Sequence, residues 1–318
     1  AGWSAATYAA ASPRTTLSLD DDWRFHLGEA PGSESVTYDD QGWRRLDVPH
    51  DYVVEGTFTE QPTGQNGALA PDWYWLHGFL PVKPAVYRKA LDIPHSLKGR
   101  RLWLEFDGVF SNSRYWLNGR ELGSLYSGYT RTRFDITDVV SHEGPNTLVV
   151  KVDPRYDGWW YEGGGIYRHV RLVAVEPVHI APDGVFVAPS VDDPGTGLRA
   201  DATVSTQIEV TNSGTASASV TVKNEILDAE GHVVGGSVST HELSIATGIQ
   251  ISQEIALPDA ELWSPANPVL YRLRSTVMIA DRLVDEVVTP FGVRHVRFSA
   301  EGGFFLNGQP FKLQGVNM

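Results

Sequence analysis

The sequence predicts an all-β protein built from sandwich domains. Ten Trp, twelve Tyr and twelve Phe occur in short runs in which apolar and polar residues alternate, and 31 Gly and 19 Pro separate these runs. Alternation between turn residues is typical of half-buried strands. Before the end of the chain, no run of about ten or more residues has the period of an amphipathic helix. These observations together favour β-sheet throughout.

The first half of the chain contains the clearest strands. Residues 102–106 alternate and end at the turn pair Asp107-Gly108. Residues 114–117 and 120–122 are separated by Asn118-Gly119, which predicts a β-hairpin because both residues accept the positive φ angles of a tight turn. Further strands are predicted at residues 147–152 and 167–175.

The composition changes near Pro182. From residue 184 to about 289 aromatic residues become rare, and Val, Thr and Ser alternate, as in residues 203–210. Turns are expected at Ser213-Gly214 and Glu230-Gly231. Short strands separated by turns over this length predict an immunoglobulin-like sandwich, without the cysteine pair of antibody domains because the chain has no cysteine.

A third change begins at Phe291. A second Asn-Gly pair, Asn307-Gly308, predicts another hairpin. Residues 313–318 resemble a buried strand that is cut off at its end. Since unpaired backbone groups are costly when buried, we expect the natural polypeptide to continue.

Charge and composition exclude several classes of function. The formal net charge of −13 argues against binding to nucleic acid and to anionic membranes. No stretch approaches the ~20 apolar residues that span a bilayer. The ten histidines lack ligand spacing, no phosphate-binding glycine loop is followed by a helix, and no Gly-x-Ser-x-Gly motif occurs. We therefore expect no metal and no cofactor.

The first twelve residues are rich in Ala, Ser and Thr. They lack the basic start and long apolar run of an intact signal peptide. An unstructured tail or an expression remnant is one interpretation. The other is the stub that stays behind after an export signal is removed, which would make the protein periplasmic or secreted.

Ten segments, in order, resemble one enzyme family. The first five are Asp22-Trp23-Arg24-Phe25, Val48-Pro49-His50-Asp51-Tyr52, Tyr87-Arg88-Lys89, Leu104-Glu105-Phe106-Asp107-Gly108-Val109 and Trp116-Leu117-Asn118-Gly119. The others are Gly128-Tyr129-Thr130, Gly165-Ile166-Tyr167-Arg168, Phe291-Gly292-Val293-Arg294, Phe305-Leu306-Asn307-Gly308-Gln309-Pro310 and Gly315-Val316-Asn317. Each segment alone is a weak signal. In this order and spacing they resemble the front portion of the family 2 glycoside hydrolases, especially β-galactosidase-like members.

Residues 1–16 are assigned to a tail. The resemblance implies a jelly-roll (galactose-binding-like) sugar-binding domain at 17–181, an immunoglobulin-like sandwich at 182–290 and the start of a (β/α)8 barrel at 291–318. In this family the barrel carries an acid/base glutamate and a nucleophilic glutamate, at the C-terminal ends of its strands. The resemblance therefore implies that both catalytic glutamates are missing here and that the chain alone is inactive. The dipeptide Asn224-Glu225 matches the family's acid/base pair, but it lies in an alternating strand, where we expect a solvated face.

The resemblance also implies that jelly-roll loops line the pocket for a terminal β-linked sugar. Sugar recognition combines aromatic faces with carboxylates that fix hydroxyl groups, and the loop before Gly165 has both. The predicted substrate-binding residues of this loop are Asp157, Trp159, Trp160, Tyr161 and Glu162. Its aromatic residues are equally compatible with core packing at a sandwich corner. Family members commonly carry Asp or Arg where Trp159 stands, so galactose specificity is open, and Asp157 could substitute if the loop is shifted.

Two further segments are candidates for the same pocket. Asp51 is predicted either to bond to nearby backbone amides in a turn or to lie on the rim of the sugar pocket. Residues 62–78 form a long aromatic loop, which could cover the barrel mouth or contact a second copy of the chain in a homo-oligomer.

Three functions are compatible with these observations. The first is the non-catalytic N-terminal region of a retaining exo-β-glycosidase, whose partner is its own barrel domain or a complementary barrel fragment. The second is a stand-alone carbohydrate-binding module, and the third is a structural or adhesive β-sandwich protein. The ordered segments and the aromatic, acidic loop favour the first.

Overall fold

The computed structural model describes residues 13–58, 80, 82–156, 161–195 and 197–316. The chain divides into two compact units. The N-terminal unit is Thr15–Ala174, and the C-terminal unit is Val175–Met318 together with the first fourteen residues. The units meet in sequence at residues 174 and 175, whereas the predicted domain limit, 181 and 182, lies inside a single strand, Val178–Ser190. Thr15 and Thr16, which were assigned to the tail, also lie in a strand.

The described residues of the N-terminal unit form ten strands and two short 3-10 helices. The strands are β1 Thr15–Ser18, β2 Trp23–Leu27, β3 Arg44–Leu46, β4 Ala85–Leu91, β5 Arg101–Phe106, β6 Ser113–Leu117, β7 Arg120–Leu125, β8 Thr132–Asp135, β9 Asn146–Val152 and β10 Val170–Val175. The 3-10 helices are His95–Leu97 and Pro154–Tyr156. Among the described residues, no helix is long and apolar enough to cross a membrane.

These strands form two sheets that share one core. The six-stranded sheet has the order β3-β2-β4-β9-β6-β7, and the four-stranded sheet has the order β1-β10-β5-β8. Side chains from both sheets, including Tyr87 and Tyr115 from the first and Leu104 and Phe106 from the second, belong to the same buried cluster. Because each sheet buries the face that alternation makes apolar, the unit is the predicted jelly-roll sandwich. The Asn118-Gly119 hairpin is confirmed, with φ angles of 53° and 78°.

The described residues of the C-terminal unit form ten strands. They are β11 Val178–Ser190, β12 Arg199–Asn212, β13 Ala218–Leu227, β14 Val233–Leu243, β15 Thr247–Glu261, β16 Tyr271–Ile279, β17 Arg282–Phe291, β18 Val296–Ser299, β19 Gly303–Leu306 and β20 Gln309–Pro310. Antiparallel sheets of order β11-β12-β15 and β14-β13-β16-β17 enclose a core of Val, Ile and Leu, as predicted for an immunoglobulin-like sandwich.

A buried ion pair fastens Arg14 to the sandwich of the C-terminal unit. Asp285 on β17 is fully buried and accepts hydrogen bonds from Arg14 Nε at 3.0 Å and Nη2 at 2.7 Å. It also accepts the backbone N–H groups of Ile180 and Glu286, at 2.7 and 2.9 Å. With four donors around it, the carboxylate is compensated for the loss of water.

The third sheet, β18-β19-β20, contains the predicted second hairpin. Asn307 and Gly308 have φ angles of 51° and 75°, so this prediction is confirmed. The prediction of a buried strand from Leu313 is wrong for the described residues: 311–316 have no regular structure, and Leu313 and Val316 are 65% and 87% exposed. A strand needs hydrogen-bonding neighbours along its length. Within the described residues of this segment, only Phe311 donates its backbone N–H to a strand residue, the carbonyl of Phe304 at 2.9 Å. The assignment of 291–318 to the start of a barrel stays a prediction.

Candidate sugar-binding site

The candidate site begins where two segments far apart in sequence run side by side. The backbone N–H of His50 donates to the carbonyl of Ile166 at 2.7 Å, and that of Tyr52 donates to the carbonyl of Gly164 at 3.0 Å. Predicted site residues Asp51, Tyr161 and Glu162 lie at this junction. Asp157, Trp159 and Trp160 lie outside the described residues, as does the predicted loop 62–78.

Asp51 connects the two segments. Its Oδ1 accepts the backbone N–H groups of Val53 and Gly164, both at 3.0 Å. Its Oδ2 accepts the hydroxyl of Tyr161 at 2.5 Å. The bond to Val53 is the turn contact that the sequence predicted as one of two roles for Asp51. The other two bonds show that the same carboxylate also holds residues 161–164.

Three consecutive glycines allow the segment after Glu162 to lie this close to residues 50–53. A Cβ atom at Gly163, which has a φ of +80°, would lie 2.5 Å from Asp51 Oδ2. One at Gly165, with a φ of +121°, would lie 2.3 Å from the hydroxyl of Tyr87 and 2.6 Å from the carbonyl of His50. Both backbone conformation and space therefore demand glycine. The Gly163-Gly164-Gly165 run is the surface on which the segment fits against residues 50–53.

Tyr161 is the exposed member of the junction. Its side chain is 38% exposed, while its hydroxyl is held by Asp51. Desolvation raises the pKa of Tyr161, and the hydrogen bond to Asp51 raises it further, so the hydroxyl stays protonated and keeps donating. The ring is therefore fixed in place at the surface. Glu162, beside it, is half-buried.

A polar chain beneath the junction was not predicted from the sequence. His50 Nδ1 lies 2.8 Å from the hydroxyl of the fully buried Tyr87, and His50 Nε2 lies 3.3 Å from Glu55 Oε1. Glu55 in turn accepts two hydrogen bonds from Arg44, at 2.5 and 2.9 Å. Alternation along β4 predicts that Tyr87 points inward, but no sequence signal indicates the partner of its hydroxyl.

Burial and charge act in opposite directions on His50. Desolvation lowers the pKa of His50, and the carboxylate of Glu55 partly offsets this effect. The hydrogen bond from Arg44 lowers the pKa of Glu55, which keeps it ionised at neutral pH. Burial raises the pKa of Tyr87, so its hydroxyl is also neutral. In this series of polar contacts, the inner groups, Tyr87 and His50, are thus uncharged. The charged groups, Glu55 and Arg44, lie at its exposed end.

The dipeptide Asn224-Glu225 on β13 differs from the expectation of a solvated face. Asn224 is fully buried and donates to Gln253 Oε1 at 2.6 Å, so the expectation is wrong for this residue. Glu225 faces outward, 2.7 Å from Lys223 Nζ and 2.8 Å from Arg274 Nη2. Lys223 first and Arg274 next lower the pKa of Glu225. A carboxylate held ionised in this way is unsuited to act as a general acid.

One group of potential metal ligands occurs among the described residues. Ligand atoms of Asp228, Glu230 and His232 lie within 4.8 Å of one another. Asp228 accepts the backbone N–H of His232 at 2.8 Å, and its Oδ2 lies 3.1 Å from His232 Nδ1. These contacts close the turn between β13 and β14, which is sufficient reason for the three residues to be together.

Two family models match most of the chain. The model of the galactose-binding domain-like region of glycosyl hydrolase 2 matches residues 76–160, and that of glycosyl hydrolases family 2 matches residues 178–294. The first match lies mainly in the jelly-roll sandwich, and the second covers most of the immunoglobulin-like one. Fold and matches together define the chain as a glycoside hydrolase region built of two β-sandwiches.

Similar proteins support the same assignment. The beta-galactosidase BoGH2A of Bacteroides ovatus is 34% identical over 310 residues, which are 96% of this chain and 35% of that protein. A beta-glucuronidase of Bacteroides fragilis is 27% identical, over 95% of this chain and 41% of its own length. The crystal structure of a family 2 member from Bacteroides cellulosilyticus has a TM-score of 0.84 at 30% identity, covering 94% of this chain and 38% of that one.

This chain belongs to glycosyl hydrolase family 2. It spans 35%, 28% and 32% of the length of three curated relatives that it matches. The resemblance found in the ordered sequence segments is thereby confirmed.

Proposed function

We propose that this chain is the non-catalytic N-terminal region of a retaining exo-β-glycosidase of the β-galactosidase type. In this proposal the segment around Tyr161 lines the pocket for the terminal sugar, and turnover requires a barrel that carries both glutamates. The observation that carries the proposal is the anchoring of residues 161–164 by Asp51, which fixes an exposed aromatic ring. A fixed aromatic face beside carboxylates is the arrangement that sugar rings require.

In this proposal the barrel supplies the catalytic groups and this chain helps to bind the sugar, because of the way retaining enzymes work. Retaining hydrolysis uses two carboxyl groups about 5–5.5 Å apart, one to protonate the leaving oxygen and one to attack the anomeric carbon. In family 2 both are expected on the barrel. The role proposed for Asp51 is that of a positioning residue, because both of its carboxylate oxygens already accept hydrogen bonds from protein groups. Asp157, Trp159 and Trp160 are proposed to contact the sugar directly.

Turnover by the chain alone is the first test. The 318-residue chain is assayed with chromogenic β-galactoside and β-glucuronide, because the relatives carry both names. We expect no hydrolysis above the buffer rate. Measurable turnover that survives repurification would contradict the proposal.

An exposed aromatic surface supports a proposal for where the barrel docks. Phe298 on β18 is 72% exposed, and its ring centroid lies 5.0 Å from that of Phe304, which lies 6.0 Å from that of Phe311. Contiguous exposed apolar surface of this kind is typical of an interaction site. Curated relatives are about three times as long as the region they share with this chain. The proposed occupant is therefore the barrel of the same enzyme.

Complementation tests this surface and the sugar loop together. The chain is mixed with a barrel fragment from a family 2 relative, and co-elution and turnover are measured. Phe298→Ser should weaken co-elution, whereas Phe186→Ser, 59% exposed on β11, should not. Tyr161→Ala should leave co-elution unchanged and raise KM. Equal co-elution of both serine variants would refute the docking surface, and an unchanged KM would refute the role of Tyr161.

A further inference from the structure

A cavity in the N-terminal unit lies beside β2 and β3. It has a volume of 370 Å³ and is lined by Phe25, His26, Leu27, Gly42, Trp43, Arg44, Tyr52, Glu55 and Gly56. This volume lies within the range of about 300–1,000 Å³ that is usual for small-molecule pockets. Of the candidate residues that the structure describes in the 157–162 loop, neither Tyr161 nor Glu162 is among those that line it.

The floor and wall of this cavity are rigid and apolar. Phe25 and Tyr52 are 6% and 5% exposed, and their ring centroids lie 5.5 Å apart. Trp43 is held by stacking on His26, with ring centroids 5.1 Å apart. Leu27, at the end of β2, is 48% exposed. The cavity therefore offers pre-formed aromatic and aliphatic surface to a ligand.

The rim is polar and electrically balanced. Arg44 and Glu55 form a bidentate ion pair whose side chains are 53% and 40% exposed. Guanidinium donors and carboxylate acceptors thus stand side by side at the opening. A hydroxyl group is both a donor and an acceptor, so neighbouring hydroxyls on one ring match this pair. Glu55 disfavours anions and Arg44 disfavours cations, which leaves a neutral, hydroxyl-rich ligand as the best match.

We propose that the cavity beside β2 and β3 binds a neutral pyranose sugar unit, with its C–H face toward Leu27 and Trp43 and its hydroxyls on Arg44 and Glu55. This site is built from residues other than those of the 161–164 segment, and it does not depend on the function proposed for that segment. It would give the chain a sugar-binding activity of its own, without any barrel.

The chain provides a variant that closes the cavity without disturbing its walls. A Cβ atom at Gly42 meets nothing within 4 Å, and the backbone there is not in the left-handed region. Gly42→Leu therefore places an apolar side chain in the opening at little cost in stability. Gly144→Leu is the matched control, since a Cβ at Gly144 also meets open space and Gly144 does not line the cavity.

The ion pair has a matched control as well. Arg114 and Glu121 form a bidentate pair of nearly equal exposure, 56% and 40%, beside Trp116. Glu55→Gln is thus compared with Glu121→Gln. Because exposed pairs contribute little to folding, both variants should stay folded, and thermal unfolding checks this for each.

Binding is measured by NMR titration of the 318-residue chain with methyl β-D-galactopyranoside, methyl β-D-glucopyranoside and, as the charged comparison, methyl β-D-glucuronide. We expect a neutral glycoside to shift the indole N–H signal of Trp43, with at least fivefold weaker binding in Gly42→Leu and Glu55→Gln and unchanged binding in both controls. The proposal is overturned if no neutral glycoside binds, if the cavity variants bind as tightly as the unmodified chain, or if Tyr161→Ala rather than Gly42→Leu abolishes binding. The last result would place the sugar on the 161–164 segment and support the proposed function instead.

Discussion

The two sandwiches of this chain have cores built from different side chains. The core of the N-terminal unit contains Trp23, Phe25, Tyr52, Tyr87, Phe106 and Tyr115. The core of the C-terminal unit is almost entirely Val, Ile, Leu and Ala, with Tyr271 and Phe291 as its aromatic members. Strands in the first unit have three to seven residues, whereas β11 to β17 have nine to fifteen.

An aromatic core that contains tyrosine provides hydroxyl groups as well as apolar area. A buried tyrosine has a polar end that must find a partner, and that partner is often outside the core. Tyr52 donates to the carbonyl of Lys83 at 2.6 Å, and Tyr87 contacts His50 at 2.8 Å. The aromatic core thus holds the loops that surround it. The aliphatic core has few such groups, and its long strands present little loop surface to hold.

The largest expected effect is a loss of unfolding free energy in the C-terminal unit, whose core contains the buried charge of Asp285. Asp285→Asn leaves Arg14 without its counter-charge in a buried setting, and we expect a loss of about 3 kcal/mol in unfolding free energy. Asp259→Asn, in an exposed pair with Arg199, should cost less than about 1 kcal/mol. Urea unfolding followed by circular dichroism measures both. Equal losses would mean that the aliphatic unit does not depend on its buried ion pair.

Gly165→Ala tests the corresponding contact of the N-terminal unit. Its Cβ would collide with the hydroxyl of Tyr87, so overpacking and the positive φ together should cost about 3 kcal/mol. Gly99→Ala shares the positive φ, at 88°, but meets nothing within 4 Å and should cost about 1 kcal/mol. Thermal unfolding of the pair separates crowding from backbone strain. A cost for Gly165→Ala no greater than that for Gly99→Ala would show that Tyr87 yields readily.

Tyr87→Phe removes only the polar end of one core ring. The loss of the bond to His50 should cost about 1–1.5 kcal/mol, since a net hydrogen bond has that magnitude. Amide hydrogen exchange at Gly164 and Ile166 should become faster, which a purely apolar role of the ring would not cause. Tyr126→Phe, 68% exposed, serves as the control and should change neither quantity. Unchanged exchange in Tyr87→Phe would break the link between aromatic core and loop.

The smallest effect is a pH dependence that each unit shows through one buried histidine. Desolvation lowers the pKa of His50 in the N-terminal unit and of His179 in the C-terminal unit. Below pH 6.5 these histidines are protonated in the unfolded chain but still neutral in the folded protein. Their contribution to the free energy of unfolding is therefore fully present above that pH, and it is lost as the pH falls toward the folded pKa values. His50→Gln and His179→Gln should each flatten the decline in unfolding free energy. A decline that neither variant changes would assign it to other groups.

Local signals predicted more of the fold than of the site. Both Asn-Gly turns lie where their positive φ angles predicted, because turn chemistry depends on neighbouring residues alone. The burial of Asn224 was also present in the alternation: Val220, Val222 and Ile226 share its parity and are all buried. Assigning it to a solvated face gave its polar character too much weight against the period of the strand.

The contacts of the site depend on separations that local patterns do not contain. Asp51 and Tyr161 are 110 residues apart, and both lie in segments between strands. The sequence indicated that Asp51, Tyr161 and Glu162 were candidates, and their meeting at one junction became visible only in the fold. For Glu55 and Arg44 there was no signal, because an exposed ion pair between a loop and a strand has no sequence signature.

The three glycines at 163–165 have a consequence for directed evolution. They bring this segment so close to its neighbours, Asp51 and Tyr87 among them, that none of the three positions has room for a side chain. A library designed around the function proposed for this segment should therefore leave all three positions unchanged.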